Sequence, residues 1–366
     1  MHSFLLCIMI NRKGVIKVDT KIWDVREYNE DLQQYPKINE VKDIVLNGGL
    51  IGLPTETVYG LAANAKDEQA VTKIYEAKGR PSDNPLIIHI HSKEQLEDFT
   101  YAIDERIDKL MDAFWPGPIS FILPLKKGYL CSKVSGGLSS VAVRMPSHSV
   151  GRQLLQIIDE PLAAPSANLS GRPSPTTFKH VFHDLNGRID GIIQAEQSEE
   201  GLESTVLDCT SFPYKIARPG SITASMITEI IPNSVTHADY NDTEKPIAPG
   251  MKYKHYAPNT PLTIITELNS NIIGNDEEEW SSIAFIVPKS KVHFIPNKAQ
   301  FIYLCEDEKD IKQANHNLYE VLHTLDENET IKQAYIYGFD LNDQSEAIMN
   351  RMIKAAGNHF VKGYEL

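Results

Sequence analysis

The side chains best able to do chemistry cluster at five places in the first two thirds of the 366-residue chain. These are "PTETVYG" at 54–60, "KGRPSDNP" at 78–85, "SSVAVR" at 139–144, "APSANLSGRPSP" at 164–175 and "IARPG" at 216–220. Together they supply Lys78, Arg80, Arg144, Arg172 and Arg218, several hydroxyls, and glycines that let backbone approach a ligand. A guanidinium offers carboxylate or phosphate a planar two-pronged fork, and Lys a compact point charge. Converging, these types suit a polyphosphate or a carboxylate. Taken singly each signal is weak. Arg80 before Pro81 also reads as a surface cation, and Thr55 as a turn cap. His89 alternates with Ile88 and Ile90, so it faces away from them, and a lone strand His is more often a core residue than a catalyst. The clusters gain weight by falling at the ends of apolar runs, because open α/β sheets bind ligands outside the carboxyl ends of their strands.

Familiar signatures are missing. The chain has no GxxxxGK[ST], no GxGxxG after a strand, no HExxH and no GxSxG. A bound nucleotide would therefore be held by Arg, Lys and hydroxyls, without a P-loop lysine. The net charge is −13, and residues 257–366 carry −8 of it, from 9 Lys/Arg and 17 Asp/Glu. Such a chain is not a general polyanion binder, although a local basic patch remains compatible with it. The four cysteines, at 7, 131, 209 and 305, form no CxxC pair, which favours reduced thiols in a cytoplasmic protein over disulfides or zinc. "FLLCIMI" at 4–10 is too short to span a bilayer, and no other stretch approaches 18 apolar residues. No membrane association is expected.

The elements that must position these residues follow from periodicity. "INEVKDIVL" puts Ile38, Val41, Ile44 and Val45 on one helical face before Gly48 and Gly49 stop it. Further helices are expected over "KDEQAVTKIYEAK", "DERIDKLMDAF", which "WPGP" breaks, and "VGRQLLQII". "LIGLP", "PLIIHI", "ISFILPL", "SVAVRMP", "PLAAPSA", "GIIQAE" and "STVLDCT" read as strands. Some strand neighbours have no helix between them, so an open, twisted, mixed α/β sheet is expected. Residues 1–29 read as an N-terminal extension and lead-in, 30–235 as the catalytic unit, 236–259 as a Pro- and Gly-containing linker, and 260–366 as a smaller α/β domain.

In this order, "PTETVYGL", "KGRPSDNPLIIHI", "WPGPISFILP", "SVAVRMPSH", "APSANLSGRPSPT", "ESTVLD" and "IARPGSIT" resemble the YrdC-type family. "APGMKYKHYAP" and the tail resemble its long form, the two-domain threonylcarbamoyl-AMP synthases. The resemblance runs over residues 30–366, and the combination of motifs is specific where no single one is. It implies a YrdC-like fold and a nucleotidyltransferase that joins L-threonine, bicarbonate and ATP into threonylcarbamoyl-adenylate and diphosphate. It further implies that the product serves tRNA modification beside the anticodon, through downstream transfer proteins. Whether this chain touches tRNA itself is left open.

The resemblance also implies roles. Lys78 and Arg80 are the catalytic cations on the phosphates, in a loop fixed by Pro81 and Pro85. Thr57, His89, Arg144, the backbone at Ala164, and Ser204 hold threonine. Arg80, Asn84, Ser140, Ser166, Ser174 and Arg218 hold ATP, with Asn168 beside them. Mg²⁺ is carried mainly by the ATP phosphates, with no dedicated protein ligands. Lys252 and Tyr253 are lid candidates. "GPIS" and "SSVAVR" have Ser where the family often has Thr, which keeps the hydroxyl. Two other readings compete. One is an RNA-binding module, with Lys126, Lys127 and Lys133 added to a basic face, whose binding would fall steeply with salt. The other is a related carbamoyl transferase, but those carry a zinc-finger region for which this chain has too few cysteines.

Overall fold

The computed structural model of the protein describes residues 9–10, 16–237, 255–272 and 280–366. A two-residue ribbon, β1 (Met9–Ile10) with β2 (Ile16–Lys17), precedes the main body. The body then runs β3 (Lys21–Asp24), α1 (Ile38–Leu46), β4 (Ile51–Leu53), β5 (Gly60–Asn64), α2 (Glu68–Lys78), β6 (Ile87–His89), α3 (Leu96–Phe99), α4 (Glu105–Phe114) and β7 (Ile119–Pro124). It continues with β8 (Ser140–Arg144), α5 (Ser149–Ile158), β9 (Leu162–Ala163), α6 (Phe178–Leu185), β10 (Gly191–Gln194), β11 (Thr205–Asp208), β12 (Tyr214–Arg218), α7 (Ala224–Ile230) and β13 (Val235–His237).

Eleven of these strands form one sheet in the order β13-β12-β11-β7-β8-β6-β9-β5-β4-β10-β3. The sheet is mixed, as the helix-free strand neighbours require. Pairs β6/β8 and β7/β11 are parallel, whereas β4/β5, β5/β9, β6/β9 and β7/β8 are antiparallel. Capping sets the helix ends locally. The Asp67 carboxylate accepts from the backbone N–H of Gln69 and Ala70 to start α2, and Gly79, at φ +62°, closes it in the left-handed region. Lys78 and Arg80 therefore leave opposite sides of a sharp turn. Lys21–Asp24, in the stretch read as an extension, pairs parallel with β10 and buries Trp23, so the sheet begins ahead of residue 30. "PLAAPSA" yields only the two-residue β9, since prolines flank its apolar core.

The second unit comprises β14 (Leu262–Thr266), β15 (Ile283–Val287), β16 (Gln300–Tyr303), α8 (Ile311–Glu327), β17 (Gln333–Tyr337), α9 (Glu346–Ala355) and β18 (Phe360–Lys362). Its five strands are all parallel, in the order β16-β15-β17-β14-β18. Val58 and Leu202 of the first unit, with Tyr256, pack into the core that α8 and α9 make with this sheet. Gly201, at φ +73°, allows a close approach. A Cβ there would lie 2.4 Å from the His316 Cα on α8. Among the described residues no helix is long and apolar enough to cross a membrane.

Candidate active site

Partners across a sheet share a face. The register sets His89 opposite Arg144, Arg144 opposite Ser120, Ser120 opposite Val206 and Val206 opposite Arg218. These five residues make one row across β6, β8, β7, β11 and β12. Their chain neighbours Ile88, Val143, Phe121 and Leu207 point the other way, into the main core. A recess is lined by His89, Arg144 and Arg218 of the row and also takes in Thr57, Arg80, Ala164, Ser166, Glu203 and Ser204, with His255 and Tyr256 closing it. The site thus spreads over a sheet face; it is not confined to strand ends as the clusters suggested. The volume open to the centre of a water molecule is about 50 Å³, room for a few waters at roughly 10–15 Å³ each.

One end of the row is built around Arg144. Its Nη2 lies 2.5 Å from Glu56 Oε1, Nη1 donates to Thr57 Oγ1 at 2.6 Å, and Nε donates to the Gly117 carbonyl at 3.3 Å. Burial is the largest influence on Glu56 and works to raise its pKa, but the Arg144 charge and hydrogen bond, joined by backbone N–H groups, together outweigh it and the carboxyl stays below its usual range. His89 is held down to about 3 by burial and then by Arg144, so it is neutral. Its Nδ1 lies 3.3 Å from the Ile87 carbonyl, which only accepts, so the proton sits on Nδ1 and Nε2 is left as an acceptor. The Ala164 N–H is used by the Ile87 carbonyl at 3.0 Å, which leaves its own carbonyl to meet a ligand.

The other end is cationic. Arg80 is buried, and its Nη2 donates to the Pro85 carbonyl at 3.1 Å while its Nε has no partner. Burial lowers its pKa to about 10. Arg218 donates through Nε and Nη2 to the Ser204 carbonyl, at 3.1 and 2.9 Å, and through Nη2 to Ser204 Oγ at 3.2 Å. The Ser204 hydroxyl also bonds the Ser120 hydroxyl at 2.8 Å. Ser166 lines the recess and is half-buried.

Several sequence-expected residues stand outside the recess. Lys78 is buried and donates to the Ser166 carbonyl and, at 2.6 Å, to the Asn168 carbonyl. Its ammonium holds the 166–168 loop, and burial puts its pKa well below the usual lysine value. Asn84 is buried with its Oδ1 unpartnered, and Ser140 is half-buried at the first position of β8. Ser174 is buried and donates to Glu203 Oε1 at 2.5 Å. Asn168 braces its own loop through Leu169 and Arg172 carbonyls. Arg172 is committed to Asp184 and, across the two units, to Asp326 at 3.0 Å. Lys252 and Tyr253 lie outside the described residues. Among the described residues of the linker, His255 and Tyr256 line the recess.

Sequence reasoning also missed Glu56 and Glu203, and noted Ser120 only as the retained hydroxyl of "GPIS". Glu56 and Glu203 sit inside quoted motifs beside Thr57 and Ser204, which were singled out. Glu203 is buried, and its carboxylate takes Tyr319 and Arg351 from the second unit as partners. Nothing local in the sequence signals those two, which lie 116 and 148 positions away.

A polar, cation-rich face on a mixed sheet, closed by a linker and a second α/β unit, defines a ligand-binding α/β protein of two units. Residues 43–220 match the Sua5–YciO–YrdC family model, described as "Telomere recombination", and residues 222–357 match "Threonylcarbamoyl-AMP synthase, C-terminal domain". The chain belongs to the threonylcarbamoyl-AMP synthase family. It is 41% identical to a Bacillus subtilis protein of that name, over 94% of this chain and 99% of the relative. A Pyrococcus abyssi protein of the same name is 39% identical over 94% and 99%, and one from Schizosaccharomyces pombe 36% over 84% and 84%. The crystal structure of P. abyssi Sua5 complexed with L-threonine superposes with a TM-score of 0.84 at 37% identity, covering 94% of this chain and 99% of that one.

Proposed function

We propose that this chain is an L-threonylcarbamoyladenylate synthase, making the adenylate and diphosphate from L-threonine, bicarbonate and ATP. The observation that supports it is the two-ended row. At one end a neutral His89 acceptor, the Thr57 hydroxyl and Arg144 suit an amino acid, whose carboxylate Arg144 meets with the N–H groups left over from Glu56, Thr57 and Gly117. At the other end Arg80 and Arg218 suit a polyphosphate, with Ser166 nearby. Ser204 lies between the ends. Arg80, with its buried Nε unpartnered, stabilises the departing diphosphate.

The amine of threonine attacks the carbon of bicarbonate, a C–O bond breaks and water leaves to give the carbamate. The carbamate oxygen then attacks the α-phosphorus and breaks its bond to the bridging oxygen of diphosphate, which departs. Both steps bring anions together, so positioning and positive charge carry the catalysis. The product is a mixed anhydride, and a closed recess keeps water from it. That recess holds an amino acid more readily than a whole nucleotide, so ATP entry requires the His255–Tyr256 segment to give way. Lys78 acts by shaping the 166–168 loop, and Asn84, Ser140 and Ser174 await a nucleotide that extends past the recess. Magnesium would be carried mainly on the ATP phosphates, keeping most of its waters. The product would then pass to proteins that modify tRNA. The test is incorporation of labelled bicarbonate into an adenylate, with and without threonine. Threonine-dependent label in the nucleotide is expected; label that ignores threonine, or none at all, refutes the reading.

A further inference from the structure

Glu203 is an acid where a triphosphate is expected. It lines the recess beside Ser204, close to Arg218. Burial would raise its pKa, but the charges of Arg351 and Arg218 and the Ser174 bond outweigh that and hold it at about 2, so it is ionised. Its Oε1 accepts from the hydroxyls of Ser174 at 2.5 Å and Tyr319 at 2.9 Å. Its Oε2 accepts from the Tyr319 hydroxyl at 2.9 Å and Arg351 Nε at 3.0 Å.

Arg351, on α9, is fully buried, which is costly for a guanidinium without a purpose. Beyond the carboxylate, its Nη1 donates to the Pro219 carbonyl at 2.7 Å and its Nη2 to the Glu203 carbonyl at 3.3 Å. Those carbonyls belong to the residue after Arg218 and the residue before Ser204. A single side chain of the second unit therefore pins the outer flanks of two recess residues that are themselves bonded together. It also supports the closing linker: its guanidinium lies 5.9 Å from the Tyr256 ring, whose centroid is 5.6 Å from that of Tyr319 at a tilt of 36°.

We propose that Arg351 is a positioning residue that acts through Glu203 on the polyphosphate end of the site: it cancels the Glu203 charge that faces an incoming triphosphate, making ATP binding conditional on docking of the second unit. The inference rests on the synthase reading and assigns the second unit a part in it. Without Arg351, the buried carboxylate loses the larger of its two compensating charges, keeps only Arg218, and faces the incoming anion with a net repulsion. With both charges removed, the repulsion goes, because a buried pair can be replaced by neutral groups far more safely than halved.

The experiment measures adenylate formation while ATP and threonine are varied separately, in wild type, Arg351→Met and the double variant Glu203→Gln/Arg351→Met. A single unscreened charge beside the phosphates is expected to raise the ATP KM of Arg351→Met about tenfold or more. The threonine KM stays within about twofold, since Arg144 and Thr57 are untouched. The double variant returns to within about threefold of wild type for ATP. Parallel rises in both KM values, or a double variant as impaired toward ATP as Arg351→Met, overturn the proposal. Should Arg351→Met fail to fold, the double variant decides alone: near-normal ATP KM supports it and a tenfold rise overturns it. If wild type forms no adenylate, the synthase reading fails, and equilibrium dialysis of ATP against the same variants still tests Arg351.

Discussion

Replacing Arg80 with Met should cost activity and leave stability intact or improved. The guanidinium is buried, makes one hydrogen bond to the Pro85 carbonyl, and leaves Nε unpartnered. Burial brings its pKa down from the usual arginine value to about 10. For a cationic group a depressed folded-state value means that charge opposes folding, fully so below the folded value and not at all above the unfolded one. At neutral pH that opposition is roughly 3 kcal/mol, at about 1.4 kcal/mol per unit. Met keeps most of the apolar stem and forfeits one hydrogen bond worth about 1 kcal/mol. The balance runs from neutral to about 2 kcal/mol of added stability, a melting temperature unchanged or a few degrees higher. Diphosphate release should meanwhile drop about 10²–10³-fold, the usual loss when a donor to developing charge is removed. Thermal melts and a diphosphate-release assay on the same preparation read both. Loss of about 2 kcal/mol or more with near-normal turnover would falsify the view of Arg80 as a cation held for its ligand.

Three further outcomes are expected. Arg144→Met leaves Glu56 buried and unpaired, so it should lose about 3–5 kcal/mol in denaturant unfolding; Glu56→Gln/Arg144→Met should recover most of that stability but not threonine binding. His89, His255 and His323 are each held down to about 3, chiefly by burial, so they fold neutral. Their contribution is complete above the unfolded value near 6.5 and is lost as pH falls toward 3. Each therefore costs about 1.4 kcal/mol one unit below 6.5, and melts at pH 7.5 and 5.5 should show a drop that His323→Gln makes shallower. Gly201→Ala should destabilise by about 2 kcal/mol or more and speed proteolytic separation of the units, because the new Cβ meets α8 backbone at a left-handed φ.

Much of this molecule can be read from local pattern, and the failures have physical causes. Ile38, Val41 and Val45 on α1, and Ile88 opposed to His89 on β6, follow from periodicity because each element buries one side. "GLAAN" went unread as β5 because its small residues carry neither alternation nor branched side chains, although it is buried in mid-sheet. Lys78 and Arg80 look equivalent as letters. The left-handed Gly79 between them sends one ammonium under a loop and one guanidinium into the recess. Arg218 and Ser204 were visible as polar residues at strand ends. The row that aligns His89, Arg144, Ser120 and Arg218 was not, since it depends on register across five strands. Arg351 and Tyr319 are the extreme case: on their own helices they resemble ordinary core-facing positions, and only docking of the two units reveals their partner.

The seam between the units has a consequence for how such a protein could be encoded. Besides the Glu203 cluster, it carries Arg172 on Asp326, His180 on Glu320 at 3.1 Å, and His316 on the Glu199 carbonyl at 2.8 Å. Tyr256, Val58 and Leu202 sit in the partner unit's apolar interior. With that much attachment, covalent continuity through the intervening stretch is dispensable for adhesion. Two separately translated halves, divided between the units and together keeping every residue, are expected to bind one another in a mixed lysate.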